Sequence, residues 1–172
     1  MSTVSAILAI NEVDAVLLIG FVAAILAFWG VLSQRQISRR RATIDYIART
    51  EIDEDMMGAR REFVNLARGR GGLAPWAEVD KEKTTQVQSI KIVLNEFELI
   101  SIAIQRGVFD YRIWRLWKKS ATIQFWRFGA PFIVQLRART ENDMLFHEFE
   151  EMVKWLRDNR MPTRSRWWGN FF

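Results

Sequence analysis

The feature that most constrains this chain is an apolar run near its N-terminus, at residues 15–32. The run reads AVLLIGFVAAILAFWGVL and contains no charged residue over its 18 positions. A bilayer core about 30 Å thick is crossed by roughly 20 helical residues, each rising about 1.5 Å. A core helix of a soluble protein would normally carry a polar stripe, which this run lacks. The sequence therefore predicts a transmembrane helix over residues 13–32.

The residues before the run lack the features of a cleaved signal peptide. They include Glu12 and Asp14 but no Lys or Arg, whereas a signal peptide carries a basic region before a shorter apolar core. We therefore expect the run to remain as an anchor, preceded by a short external N-terminus at residues 1–12.

Basic residues flank the run only on its C-terminal side. Because such residues stay on the cytoplasmic side of a membrane, we expect the N-terminus outside and the rest of the chain in the cytoplasm. The run's last tryptophan suits the headgroup level, and the arginines that follow suit anionic lipid. The predicted membrane-surface residues on this side are Trp29, Arg35, Arg39, Arg40 and Arg41.

The chain beyond the run is basic. Residues 33–172 carry 25 basic and 18 acidic residues, a net charge of +7. An anionic inner leaflet is the favoured partner over nucleic acid, because no nucleic-acid motif accompanies the charge. The chain has no Cys, which excludes disulfides, thiol catalysis and thiolate metal sites. We predict no cofactor.

The cytoplasmic part shows helical periodicity and no sustained strand alternation. One helix is expected to begin near Asp53 and end at the glycine-rich loop 68–72, and a central helix is expected from about 80 to 106, ended by Gly107. The sequence predicts an all-α fold, in which the membrane helix continues past residue 33 into a domain of about four to six helices at residues 33–158.

Two further helices complete this domain. The first begins after Asp110, a good N-cap, and is expected to break at the segment Gly129-Ala-Pro131. Its dense aromatic and basic residues could stack bases or lie at a membrane interface, but core packing is favoured for Trp114 and Trp117 from their helical spacing. The second is expected at residues 143–158, capped by Asn142.

Three polar residues interrupt the apolar surface of the central helix: Asn95, Glu96 and Glu98. They are either a polar site with potential metal carboxylates, or an exposed or hydrogen-bonded face. The second interpretation is favoured, because no second carboxylate–His repeat accompanies them. We assign no catalytic, cofactor-binding or metal-ligating residue.

Two other segments suggest contacts outside the domain. Gly20 and Ala24 lie four residues apart in the span, a spacing compatible with helix–helix association in the membrane. The C-terminal tail at residues 159–172 mixes cations with amphipathic aromatics, which suits the headgroup region, although folding back onto the domain or a partner protein is an equal alternative. Its candidate membrane-contact residues are Arg164, Arg166, Trp167, Trp168, Phe171 and Phe172.

A series of short motifs runs through the chain after the membrane helix. They are Ala42-Thr-Ile-Asp-Tyr46, Leu94-Asn-Glu-Phe-Glu98, Arg106-Gly-Val-Phe-Asp110, the helix of Trp114 and Trp117, and Pro131-Phe132. In this order they resemble the bacterial membrane proteins grouped as domain of unknown function 4760. The resemblance implies an all-helical, membrane-anchored protein of bacterial or prophage origin, hence of the bacterial inner membrane. It brings no reaction or catalytic residue.

Three functions are compatible with these features. The leading hypothesis is a non-enzymatic interaction protein, an accessory subunit or regulator of a membrane assembly, with a membrane-protein partner or a second copy of itself. The second is a prophage-type superinfection exclusion or defence component. The third is a membrane-tethered enzyme that acts on lipid or nucleic acid through carboxylates such as Glu96 and Glu98.

Overall fold

The computed structural model describes residues 3–160, with side chains from Val16 onward. Within that range the chain forms five α-helices, two short 3-10 helices and no strand, which confirms the all-α prediction. The helices are α1 (Thr3–Ile52), α2 (Glu54–Arg68), α3 (Thr85–Gln105), α4 (Tyr111–Thr140) and α5 (His147–Arg157), and the 3-10 helices are Ala74–Ala77 and Val79–Lys81. The chain divides into two compact units, Met1–Ser38 and Arg39–Phe172.

The first unit consists of the N-terminal part of α1. All side chains from residue 16 to residue 38 are exposed, including the whole of the apolar run from Val16 onward. Among the described residues, one helix is long and apolar enough to cross a membrane, by length and composition, and it is α1. The helix continues without interruption past residue 33, as the sequence predicts.

The second unit begins with the last turns of α1, where Thr43 and Ile47 are buried. α2 follows after a single residue, Asp53, whose carboxylate accepts a hydrogen bond from the Met56 N–H at 2.9 Å. This contact is a regular N-cap, because it satisfies a backbone donor that has no partner within the helix. The predicted start of the second helix is therefore confirmed.

α3 starts at Thr85, about one turn after the position expected from the sequence. The two 3-10 helices occupy the preceding segment, and the Thr84 hydroxyl caps α3 by accepting from the Val87 N–H at 3.3 Å. The other end agrees with the prediction. The Val108 N–H donates to the Ala103 carbonyl at 2.8 Å, and Gly107 takes a φ of 70°, a left-handed conformation that glycine adopts without strain.

α4 runs unbroken through Pro131, so the predicted break at Gly129-Ala-Pro131 is wrong. An interior proline costs about 3 kcal/mol because it lacks a backbone N–H and crowds the preceding turn. The next residues outweigh this cost, because Phe132, Ile133 and Leu136 are all buried and each contributes about 1.5 to 3 kcal/mol. Pro131 itself is exposed.

The two tryptophans early in α4 have opposite environments. Trp114 is buried, and its indole Nε1 donates to the Thr122 hydroxyl at 3.2 Å. Trp117 is 69% exposed, so its expected place in the core is wrong. Trp117 follows Trp114 by three residues, a rotation of about 300° around the helix, so its side chain lies at the edge of the buried face. Whether it is buried therefore depends on which helices pack beside it.

α5 begins at His147, four residues after the expected start. Asn142 does cap locally, by accepting from the Met144 N–H at 3.0 Å, but the chain then turns again. Phe146 adopts a left-handed conformation with φ 56° and places its ring in the core. The buried ring and a carboxylate from α3, described below, position this helix start.

Aromatic rings join α2, α3, α4 and α5 into one core. Phe97 and Phe149 stack with their centroids 4.8 Å apart, and Phe125 contacts both Phe97 and Phe63. Gly129 allows α4 to approach closely, because a Cβ atom there would lie 2.7 Å from Cδ2 of Leu94.

Candidate functional site

The three polar residues predicted on the central helix do not converge on one site. Asn95 is exposed to solvent. Glu96 makes its contacts with α1 and α2, whereas Glu98 makes its contacts with the start of α5. Their side chains therefore belong to three separate environments.

Glu96 is the most buried carboxylate of the set, with a side chain only 2% exposed. The Arg60 guanidinium donates from Nη2 to Oε1 at 2.5 Å and from Nε to Oε2 at 3.2 Å. The Tyr46 hydroxyl also donates to Oε1, at 3.3 Å. The Arg60 guanidinium binds this carboxylate with two hydrogen bonds and balances its charge, and the Tyr46 phenol adds a third hydrogen bond.

The pair extends into a network across four helices. The Arg60 Nη1 donates to the Thr50 carbonyl at 3.4 Å and lies 3.7 Å from a carboxylate oxygen of Glu51. Glu51 in turn forms an ion pair with Lys118 of α4. The network links α1, α2, α3 and α4, so its chemistry is that of helix assembly.

Glu98 serves as the N-cap of α5 from a distance of 50 residues along the chain. Its carboxylate accepts from the backbone N–H of Glu148 at 3.3 Å and of Phe149 at 2.7 Å. These are the second and third residues of the helix, the donors that a local capping side chain would satisfy. Burial raises the pKa of Glu98 above its usual value, against the opposing effect of these two hydrogen bonds.

A second polar cluster joins the end of α1 to the start of α4, and we call it the α1–α4 junction: Arg39, Thr43, Gly107, Phe109 and Asp110. The Thr43 hydroxyl, fully buried, donates to the Arg39 carbonyl and accepts from the Asp110 N–H, both at 2.7 Å. The Arg39 guanidinium donates to the Phe109 carbonyl at 3.2 Å and lies 3.7 Å from where a Cβ atom on Gly107 would be.

The Arg39 guanidinium is therefore bonded to the turn that starts α4, and its contact with lipid stays a prediction. Arg40 is more open: its side chain is 54% exposed, and its Nε lies 3.6 Å from Asp110. The side chains of Trp29, Arg35 and Arg41 are exposed. The predicted tail contacts lie outside the described residues.

The small residues predicted for packing in the span lie on an open side of α1. Gly20 and Ala24 are both exposed, and no atom lies within 4 Å of where a Cβ atom on Gly20 would be. A second helix has room to approach there closely, which is the condition for small-residue packing.

An exposed surface lies on the first two turns of α4, where the sequence favoured core packing for Trp117. We call it the α4 surface: Arg112, Arg115, Leu116 and Trp117. Leu116 is 82% exposed, Trp117 beside it is 69% exposed, and both arginines are also exposed. The alternation of aromatic and basic residues was the available signal, but helical spacing alone could not separate the exposed tryptophan from the buried one. Among the described residues, no group of three or more His, Asp or Glu side chains is arranged to hold a metal ion.

Comparison with known families gives one match over most of the chain. The family model described as "Domain of unknown function (DUF4760)" matches residues 17–157. The chain belongs to this family. No curated protein and no solved structure matches it. The DUF4760 match begins within the apolar run and ends at the last residue of α5, so the tail lies outside it.

In this DUF4760 protein, three of the short motifs meet in space. Residues 42–46 contribute Thr43 and Tyr46, which bond to Asp110 of the third motif and to Glu96 of the second. The Tyr46 ring also packs on Phe109, with centroids 5.1 Å apart. The motifs therefore hold the end of α1 against α3 and α4.

Proposed function

We propose that this protein is a non-enzymatic, single-pass protein of the bacterial inner membrane, whose basic cytoplasmic domain acts as an accessory or regulatory interaction module of a membrane assembly. The observation that carries the proposal is how the polar side chains are used. Glu96 and Glu98 of the central helix hold helices together, while the apolar and cationic side chains of the α4 surface are exposed.

The anchoring part of the proposal rests on α1. Its uncharged run is long enough to span a bilayer, and cations follow it on one side only. This charge asymmetry supports an external N-terminus and a cytoplasmic domain. Arg35, Arg40 and Arg41 remain exposed and available to anionic lipid headgroups.

The enzyme alternative is less well supported, because its candidate carboxylates have structural partners. Glu96 is bound by Arg60 and Tyr46, and Glu98 caps α5. A general acid or base must reach a substrate proton at hydrogen-bond distance, and the Glu96 side chain is only 2% exposed. The alternative requires Glu96→Gln or Glu98→Gln to abolish function without lowering the melting temperature.

The test is purification of the full-length protein from its native membrane in a mild detergent. We expect it to retain a membrane-protein partner, or a second copy of itself, in stoichiometric amount. Gly20→Leu combined with Ala24→Leu should weaken that association, because large side chains block close helix approach. Gly30→Leu is the matched control, since Gly30 is equally open but lies on a different side of α1. Recovery of the wild-type protein as a lone monomer would contradict the proposal.

A further inference from the structure

The α4 surface combines large exposed apolar side chains with an unusually one-sided charge. Leu116 and Trp117 project away from the core, since Tyr111 and Trp114 occupy the buried side of the same turns. Over its 30 residues α4 carries seven Lys or Arg and no Asp or Glu. Within residues 16–160, Arg112 and Arg115 have no carboxylate partner among the ion pairs of the structure.

The α4 surface follows the turn at which the second unit receives the chain from the apolar run. Only residues 33–38 separate Leu32, the last residue of the run, from Arg39, so the chain between them reaches at most about 25 Å in any arrangement. Arg39 and Arg40 contact the turn at Phe109 and Asp110 that starts α4. Leu116 follows that turn by about 9 Å of helix.

The last described residue, Arg160, lies against the first turns of α4. The Tyr111 hydroxyl donates to the Arg160 carbonyl at 2.9 Å, and Lys119 donates to Asn159 at 2.6 Å. Residues 161–172 of the tail, which follow Arg160, have two arginines and no acidic residue. Because the α4 surface is also cationic, charge favours an anionic occupant over this tail.

We propose that the α4 surface binds the anionic lipid surface of the membrane that holds α1, with Leu116 and Trp117 in the interfacial layer and Arg112 and Arg115 on lipid phosphates. A leucine, an indole and flanking arginines suit this layer, where apolar groups meet headgroup charge. The proposal rests on the membrane anchoring proposed above. It adds a second contact that restricts how the domain can turn on its anchor.

The test uses the absence of Cys from the chain, which permits a single label in the full-length protein. Leu116→Cys carries an environment-sensitive fluorophore, and Val134→Cys is the matched control. Val134 is 60% exposed and lies on the same side of α4, 18 residues or about 27 Å further along. Both proteins are placed in nanodiscs of neutral phosphatidylcholine, with or without anionic phosphatidylglycerol, and with or without brominated lipid.

We expect the label at residue 116 to shift to the blue in anionic nanodiscs and to be quenched by brominated lipid at least about twofold more than the label at residue 134. Arg112→Gln combined with Arg115→Gln should reduce this quenching. Arg61→Gln combined with Arg68→Gln, which removes the same charge from exposed positions of α2, should leave it unchanged.

Three outcomes would overturn the proposal. An unshifted label at residue 116 means that the surface stays in water. A shift without bromine quenching means that protein covers it, either the tail or a partner. Equal quenching in neutral and anionic nanodiscs means that Arg112 and Arg115 do not bind anionic lipid. The purified protein needs no partner in this experiment, so its result is independent of the co-purification test.

Discussion

Replacing Arg60 with Met should strongly destabilise the helical domain. The change leaves the Glu96 carboxylate, 2% exposed, with only the Tyr46 hydroxyl as a partner. Breaking a buried ion pair from one side costs about 3 to 5 kcal/mol, because the remaining charge is neither solvated nor compensated. For a domain of this size, roughly 4 °C of melting temperature corresponds to 1 kcal/mol, so we expect a loss of roughly 12 to 20 °C.

Replacing the other partner of the ion pair, Glu96, should cost less. Glu96→Met leaves Arg60, which is 18% exposed and still lies near Glu51 and the Thr50 carbonyl. The double variant with Met at both positions should recover most of the stability lost in Arg60→Met, because apolar side chains of similar volume often replace a buried pair at little cost. The quantity of interest is the coupling energy, which is the difference between the stability change of the double variant and the sum of the changes of the two single variants.

The measurement is thermal unfolding in mild detergent, followed by the fluorescence of the eight tryptophans. Lys154→Met is the control, since it removes an exposed partner of Glu150 and Glu151 and should cost less than about 1 kcal/mol. If Arg60→Met lowers the melting temperature no more than Lys154→Met, or if the double variant is as unstable as Arg60→Met, the assignment of Glu96 to helix assembly is wrong.

Three further predictions concern α2, α3 and α4, each read by thermal unfolding. Burial raises the pKa of Glu98, so the wild type should lose stability relative to Glu98→Gln as pH rises from the usual glutamate pKa of 4.5 through the raised pKa; a stability difference that does not change with pH would exclude this effect. Gly129→Val should lower the free energy of unfolding by at least about 1 to 3 kcal/mol, because the new side chain crowds Leu94. Gly58→Ala should raise it by about 0.5 to 1 kcal/mol, because a Cβ atom there meets no neighbouring atom and alanine favours the helix. Pro131→Ala should stabilise α4 by up to about 3 kcal/mol, and a loss would show that the proline is needed.

The features that the sequence predicted correctly have local causes. Asp53 and Asp110 cap the helices that directly follow them, and Gly107 ends the helix directly before it. Each of these signals acts within a few residues, so it can be recognised from spacing and residue type alone. The apolar run is likewise a contiguous property of the chain.

The wrong boundaries have distant causes. The start of α5 depends on Glu98, 50 residues away, and the continuity of α4 through Pro131 depends on residues buried by other helices. The same holds for the candidate site. No pattern in the sequence joins Glu96 to Arg60, 36 residues apart, or shows that Trp117 is the exposed member of its pair.

The α1–α4 junction shows how the end of α1 is built into the second unit. Here the buried hydroxyl of Thr43 and the guanidinium of Arg39 bond to the turn that starts α4, and Ile47 lies in the core. The end of α1 is thus part of the folded domain, and its removal would leave the Asp110 N–H unpaired and the core open.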